Sequence, residues 1–402
     1  MKYVVFLCDG MADYKLEEFG NRTPLQAAYK PNMDKYSKKA VIGTVKTVPD
    51  NLSPGSDVAN LSVMGYDSDI YYTGRSPLEA ASIGVKLKDN ETSFRANLVT
   101  LSGDGEYEEL TMEDYSAGEI KTEDSKKLIE ELQSIINDEK TSIYPGVSYR
   151  HLLVLSDKEL NGKLTPPHDI SKKAVKSYLP QDEEILALMK KSYEFLKDHP
   201  YNKKRIAEGK NPASSIWVWG EGKRPKMDSF FEKFHVKGSV ISAVDLIKGI
   251  GILTDMRSID VPDVTGNIDT NFDGKAKACI DALKEGDDFV YVHMEAPDEC
   301  GHRFEADNKK LAIELIDEKV IGPVTQYLEE SGEDFSILVL PDHPTPVSTG
   351  THARDEIPFF AYCNKKEVQG DVYDEDTGAK SALNIKKGHE LMGKFLKLEL
   401  WN

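Results

Sequence analysis

An α/β fold with a mainly parallel sheet, interrupted by an inserted α+β domain, is what the sequence predicts. Short apolar runs alternate with helical stretches at both ends of the chain, the pattern of parallel strands joined by crossover helices. From about residue 73 to 232 the pattern changes to strands carrying Arg and His, mixed with helices, and then the first pattern resumes. The 402 residues leave room for two domains of roughly 100–200 residues each. We therefore place a core domain over 1–72 and 233–402 and an insert over 73–232.

Tyr3 to Cys8 reads as a central strand ending at Asp9-Gly10, and Val41 to Val48 as a second. After the Pro54-Gly55 turn, Val58, Leu61 and Met64 recur at helical spacing. Ser56, where that helix begins, is either its N-cap or a nucleophile at a helix N-terminus, where free amides favour a phosphoryl group. Arg75, between Gly74 and Ser76-Pro77, is a candidate anion contact on a loop. In the insert, Phe94–Leu101 reads as a strand with a charge in it, 104–140 as acidic and helical, and Tyr149–Leu155 as a strand opening on Arg150 and His151. Thr165–Ile170 reads as a rigid polar loop, 181–198 as an amphipathic helix, and Ser215–Pro225 as a strand running into a glycine-rich loop. The core pattern returns with a strand at Gly238–Val244, the segment bearing Lys248, and a helix over 274–285. A strand over 288–297 leads to Asp298-Glu-Cys-Gly-His302, and a long helix spans 308–329. The run Ile337–Leu340 ends at Pro341-Asp342-His343, with His352 nine residues later. Pro358–Cys363 reads as a late strand, and the last thirty or so residues as a closing helix.

A net charge of −18 argues against nucleic acid or an anionic membrane surface as partner. An anionic substrate then needs metals or convergent Arg and Lys to offset that field. Cys8, Cys279, Cys300 and Cys363 form no close pair and read as free thiols of a reducing compartment. No stretch nears the ~20 apolar residues of a membrane span, so a cytoplasmic location is expected.

The chemistry converges on one sheet edge. Asp9, Asp298, Asp342 and the segment carrying Ser56 each follow a predicted strand end. Asp298 and His302, four apart, share a face if their segment is helical. With His343 and His352, three carboxylates and three imidazoles arrive together, a set suited to two metal ions. Mixed oxygen and nitrogen donors favour Mn²⁺ or Zn²⁺ over Mg²⁺, with Co²⁺ a further possibility. Two metals beside an activated serine suit phosphoryl transfer through a phosphoserine.

At this point the sequence resembles the alkaline phosphatase superfamily and, within it, the archaeal-type branch of cofactor-independent phosphoglycerate mutases. The motifs are Cys8-Asp9-Gly10-Met11, Gly55–Asp67, Tyr72–Glu79, Ala296–His302, Asp342-His343 and Thr351-His352, in the family order along nearly the whole chain. The resemblance implies an alkaline-phosphatase-like three-layer core with an inserted cap and Ser56 as nucleophile. One metal would be held by Asp9, Ser56, Asp342 and His343, the other by Asp298, His302 and His352. It implies transfer of phosphate from the 3-hydroxyl of glycerate to Ser56 and back to the 2-hydroxyl, in a cleft closed against water. A small phosphorylated carboxylic acid is the partner so implied. The cap must then supply cations and an acid–base group. The candidates are Arg75, Arg150 and Arg224 for binding, His168-Asp169 as an acid–base pair, and Lys248 from the core. Pro344 stands where the family more often shows Ser, and Ser56–Asn60 differs from the Ser-Glu-Val-Gly-His of the larger bacterial mutases. Those departures leave a homoserine kinase-like phosphotransferase and a metal-dependent phosphomonoesterase as alternatives on the same site.

Overall fold

In a computed structural model, which describes residues 1–160 and 162–401, the chain divides into two compact units. One comprises Met1–Tyr72 and Lys226–Asn402, the other Thr73–Pro225.

The first unit is built on an eight-stranded sheet. Its strands are β1 (Lys2–Cys8), β2 (Val41–Val45), β3 (Gly238–Ile241), β4 (Arg257–Ile259), β5 (Phe289–Met294), β6 (Phe335–Leu340), β7 (Ile357–Cys363) and β8 (Asn384–Ile385). The order is β8-β2-β7-β6-β1-β5-β3-β4, and only β7 runs against the rest. β1, at the centre, is buried along its whole length, as expected of a strand covered on both faces. Val4, Phe6 and Cys8 point into one apolar layer with the helices Phe272–Lys284, Ala306–Ile316 and Gly322–Ser331. On the other face Tyr3 packs edge-on against Phe395 and its hydroxyl donates to Leu396 O. Helices on both faces complete a three-layer sandwich. Among the described residues, no helix is long and apolar enough to cross a membrane.

The second unit is α+β. Its sheet is antiparallel around the long strand Glu91–Ser102, which pairs with Thr111–Asp114, Arg150–Ser156 and Ser215–Lys223. Phe94, Ala96 and Leu98 face a core shared with Thr122–Ile136 and Glu183–Leu196.

Several predicted elements differ in extent. The acidic stretch 104–140 is helical only over Thr122–Ile136, and Thr111–Asp114 is a strand. The expected glycine-rich loop after Ser215 is strand through Lys223, because Glu91–Ser102 pairs with it along that length. Gly220 at φ 64 lies where that register shifts, a positive φ that glycine takes without strain. The helix over 308–329 contains a π-helical turn at Asp317–Ile321, where buried Asp317 accepts from the amides of Asn32 and Met33. The closing segment is two short helices, Glu375–Lys380 and Glu390–Leu396, separated by β8.

Candidate active site

β1, β2, β5 and β6 run the same way, so their C-terminal ends share one sheet edge. Asp9 follows β1 and Asp342-His343 follows β6. The loop after β2 leads to helix α1 (Ser56–Val63), and β5 leads to helix α2 (Ala296–His302), which carries Asp298 and His302 one turn apart.

Ser56 is not the N-cap of α1. Gly55 is, and Ser56 is the first helical residue. Its hydroxyl lies 3.2 Å from His343 Nε2. Every residue of α1 is buried, although α1 carries Ser, Asp and Asn.

The ligand-type atoms fall into two groups. Asp9, Asp342 and His343 form one, with His343 Nε2 3.7 Å from Asp9 Oδ1 and 3.4 Å from Asp342 Oδ2. Asp298, His343 and His352 form the other. His302 joins that second group, its Nε2 3.2 Å from Asp298 Oδ2 and 2.9 Å from His352 Nε2. Its Nδ1 faces Gly350 O at 2.8 Å, so ring orientation is set by backbone. Gly10 lies between the groups. Its φ is 61, and a Cβ there would come within 2.5 Å of Asp298 Oδ1 and 2.7 Å of Thr345 Oγ1, so only glycine fits.

Electrostatics separate the carboxylates. Burial, then Asp342 and Asp298, push Asp9 well above the ordinary carboxylate range. Burial would raise Asp298 also, but hydrogen bonds from His302 and His352 hold it well below. The same contact with Asp298 raises His302 from 6.5 to about 9, and burial lowers His343. The signs give an expectation for chelated protein. A raised His302 stabilises the fold fully below about pH 6.5, and that contribution is lost as pH rises toward 9. A raised Asp9 likewise contributes less as pH rises. The Tm of chelated protein is therefore expected to fall with rising pH through that window, and a saturating divalent cation to flatten the slope. Calorimetry with and without the cation checks it, and a flat profile for chelated protein contradicts it.

Partners that spacing does not reveal fix these groups. Asn60, one turn after Ser56, donates to Asp342 Oδ2 at 2.8 Å and accepts from Tyr291 at 2.6 Å. Thr345 Oγ1 donates to Asp298 Oδ1, and Lys309 donates to Thr345 O at 2.8 Å and to Asp13 Oδ2 at 2.7 Å.

Of the other predicted site residues, Lys248 lies in the first unit, in the helix Asp245–Leu253. Lys248 pairs with Asp260 at 2.7 Å, beside edge strand β4. The helix that carries it packs against α1, the helix that begins at Ser56. Arg75, Arg150, Arg224, His168 and Asp169 belong to the second unit. There the strand Glu91–Ser102 contributes Arg95, whose guanidinium stacks 4.4 Å over Trp219 and pairs with Glu79 at 3.0 Å. Arg75 and Arg150 act electrostatically on Arg95, and Arg75 and Arg95 on His168. His168 packs edge-on to Trp219 and lies 3.6 Å from Asp169. Burial lowers the His168 pKa against the opposing charge of Asp169, with the guanidinium groups of Arg95 and Arg75 adding to the lowering. Arg224 is exposed at the end of Ser215–Lys223. Arg95 is the member of this cluster that sequence reasoning missed. Its signal is the one charge within the predicted strand Phe94–Leu101.

The family model for 2,3-bisphosphoglycerate-independent phosphoglycerate mutase matches residues 37–202. A protein of that description from Methanosarcina barkeri is 48% identical over 99% of this chain and 100% of its own length. One from Geobacter sulfurreducens, described as probable, is 45% identical over 98% and 100%. Among solved structures, a Pyrococcus horikoshii protein superposes with TM-score 0.81 at 25% identity, covering 100% of this chain and 98% of its own. The cofactor-independent phosphoglycerate mutase of Thermoplasma acidophilum gives TM-score 0.66 at 26% identity, covering 99% and 100%.

Proposed function

The chain belongs to the 2,3-bisphosphoglycerate-independent phosphoglycerate mutase family of isomerases, and from that premise we propose that it interconverts 3-phosphoglycerate and 2-phosphoglycerate through a phosphoserine at Ser56. The observation carrying this reading is the Ser56 hydroxyl, at the first residue of a helix and 3.2 Å from His343, among three carboxylates and three imidazoles.

These residues fit divalent cations. Among the described residues Asp9 Oδ1 is buried without a hydrogen-bond partner, and the Nε2 atoms of His302 and His352 face each other at 2.9 Å. Positive charge shared by those atoms satisfies both. We assign one ion to Asp9, Ser56, Asp342 and His343 and the other to Asp298, His302 and His352, with Mn²⁺ suited to the mixed donors. When bound, the ions supply the charge that favours a serine alkoxide and neutralises phosphoryl oxygens.

Ser56 Oγ attacks phosphorus, the bond to the glycerate 3-oxygen breaks, and that oxygen takes a proton. The 2-hydroxyl then gives up a proton and attacks the phosphoserine, releasing Ser56. We assign the proton transfers to the His168–Asp169 pair, 3.6 Å apart, which gives a proton to the departing 3-oxygen and takes one back from the 2-hydroxyl. Arg75, Arg95 and Arg150 are assigned to the substrate's carboxylate and phosphate, which guanidinium groups bind in bidentate fashion. Arg224 is an exposed candidate for the same task. On this reading Arg150→Ala raises KM about tenfold or more, the worth of one charged hydrogen bond, and steady-state kinetics check it. An unchanged KM removes Arg150 from the site.

Acid quench of a reaction with 3-phosphoglycerate, followed by peptide mass spectrometry, tests the intermediate. Phosphate is expected on the peptide carrying Ser56. Its absence under turnover overturns the route.

A further inference from the structure

Behind Asp9 lies a chain of buried ionisable groups that the phosphoryl-transfer steps do not use. His293, in β5, stands opposite Leu7 of β1, and its Nε2 is 3.1 Å from Asp9 Oδ2. Its Nδ1 is 2.9 Å from Glu295 Oε1, which also accepts from the amide of Ala243 at 3.0 Å and from Ser242 Oγ at 3.1 Å. Glu295 Oε2 accepts from Lys275 Nζ at 2.6 Å, and Lys275 donates also to His293 O at 2.7 Å. Lys275 and His293 have no exposed side-chain surface, and Glu295 and Asp9 have 4%.

Stability alone does not account for this chain. A buried ion pair is often no better for folding than apolar residues of the same volume. The chain's polarity instead has a direction. Glu295 Oε1 at 2.9 Å and Ser242 Oγ at 3.1 Å both face Nδ1 of His293 and leave its Nε2 turned toward Asp9, in the way that side chains behind a metal centre orient its ligands. Asp9 needs such a device. Asp342 is held by the amides of Gly10 and His343 and by Asn60. Around the Asp9 carboxylate the close imidazoles are His293 and, at 3.7 Å, His343.

We propose that His293, Glu295 and Lys275 are positioning residues that fix the Asp9 carboxylate and thereby set cation affinity at the Asp9–Asp342–His343 position, leaving the Asp298–His302–His352 position unaffected. The inference rests on the two-cation reading above.

The test is calorimetric titration of chelated protein with Mn²⁺, with the Tm of each chelated variant recorded alongside. Wild type is expected to take up two ions. In His293→Phe, one of the two dissociation constants is expected to rise about 10–100-fold, the size of other changes behind a metal ligand, while the other stays put. Glu295→Gln is isosteric, retains an acceptor for His293, and is the second probe if His293→Phe does not fold. It is expected to move the same constant in the same direction. Folded variants with two wild-type constants overturn the inference, as do variants in which both constants shift together with Tm. Wild type that takes up fewer than two ions overturns the two-cation reading itself.

Discussion

Ser56→Ala protein is expected to keep its fold and to lose mutase turnover by roughly 10⁴–10⁶-fold, the scale seen when an enzyme loses its nucleophile. The fold survives because Gly55, not Ser56, caps α1, and among the described residues the hydroxyl's hydrogen-bond partner is His343. A contact of that kind contributes about 1 kcal/mol. Turnover does not survive, because the phosphoryl group has no oxygen to move onto, and the same change removes one of four donors assigned to a cation. Steady-state rates with 3-phosphoglycerate, beside thermal melts, separate the two effects. Turnover within tenfold of wild type removes Ser56 from the mechanism.

Lys309→Met is expected to destabilise the fold by about 3–5 kcal/mol, the cost of leaving a buried charge unpaired. That is a large share of the roughly 5–15 kcal/mol available to a domain. Lys309 and Asp13 are both fully buried and 2.7 Å apart. Lys309 also donates to the carbonyls of Thr345 and Ala12, while Asp13 accepts from the amides of Val347 and Tyr14. The pair thus joins the turn after Asp9 to the loop after His343, and Thr345 in that loop holds Asp298. Adding Asp13→Asn removes the stranded charge while keeping an amide acceptor, so the double variant is expected to recover part of the loss. Urea denaturation of the three proteins measures it. A loss under about 1 kcal/mol for Lys309→Met contradicts the role assigned to the pair.

Much of the core and its edge is legible in sequence because parallel strands make edge position a local property. A buried apolar run ending in Asp places that Asp at the carboxyl edge whatever lies far away, as with Asp9 and Asp342. The Asp298–His302 spacing carries its own geometry once α2 is helical. What is not legible is second-layer and non-local. Asn60, Tyr291 and Asp342 meet across more than two hundred residues, and no spacing rule links them. Lys275, Lys309 and Glu295 look in sequence like ordinary surface charges on helices or at strand ends, yet packing buries them. Arg95 was hidden because a charge in a buried strand suggests an edge, whereas here Trp219 and Glu79 accommodate it. Acidic composition over 104–140 outweighed the four-residue strand Thr111–Asp114, too short for its alternation to register.

The most direct test of phosphoserine-mediated isomerisation is phosphorus NMR of Mn²⁺-loaded protein with 3-phosphoglycerate and no added 2,3-bisphosphoglycerate. The expected result is growth of the 2-phosphoglycerate signal to equilibrium with no free phosphate, abolished in Ser56→Ala. Free phosphate as the sole product contradicts it and makes the protein a phosphomonoesterase. No change with 3-phosphoglycerate, but phosphorylation of homoserine from ATP, contradicts it in favour of a phosphotransferase on the same site.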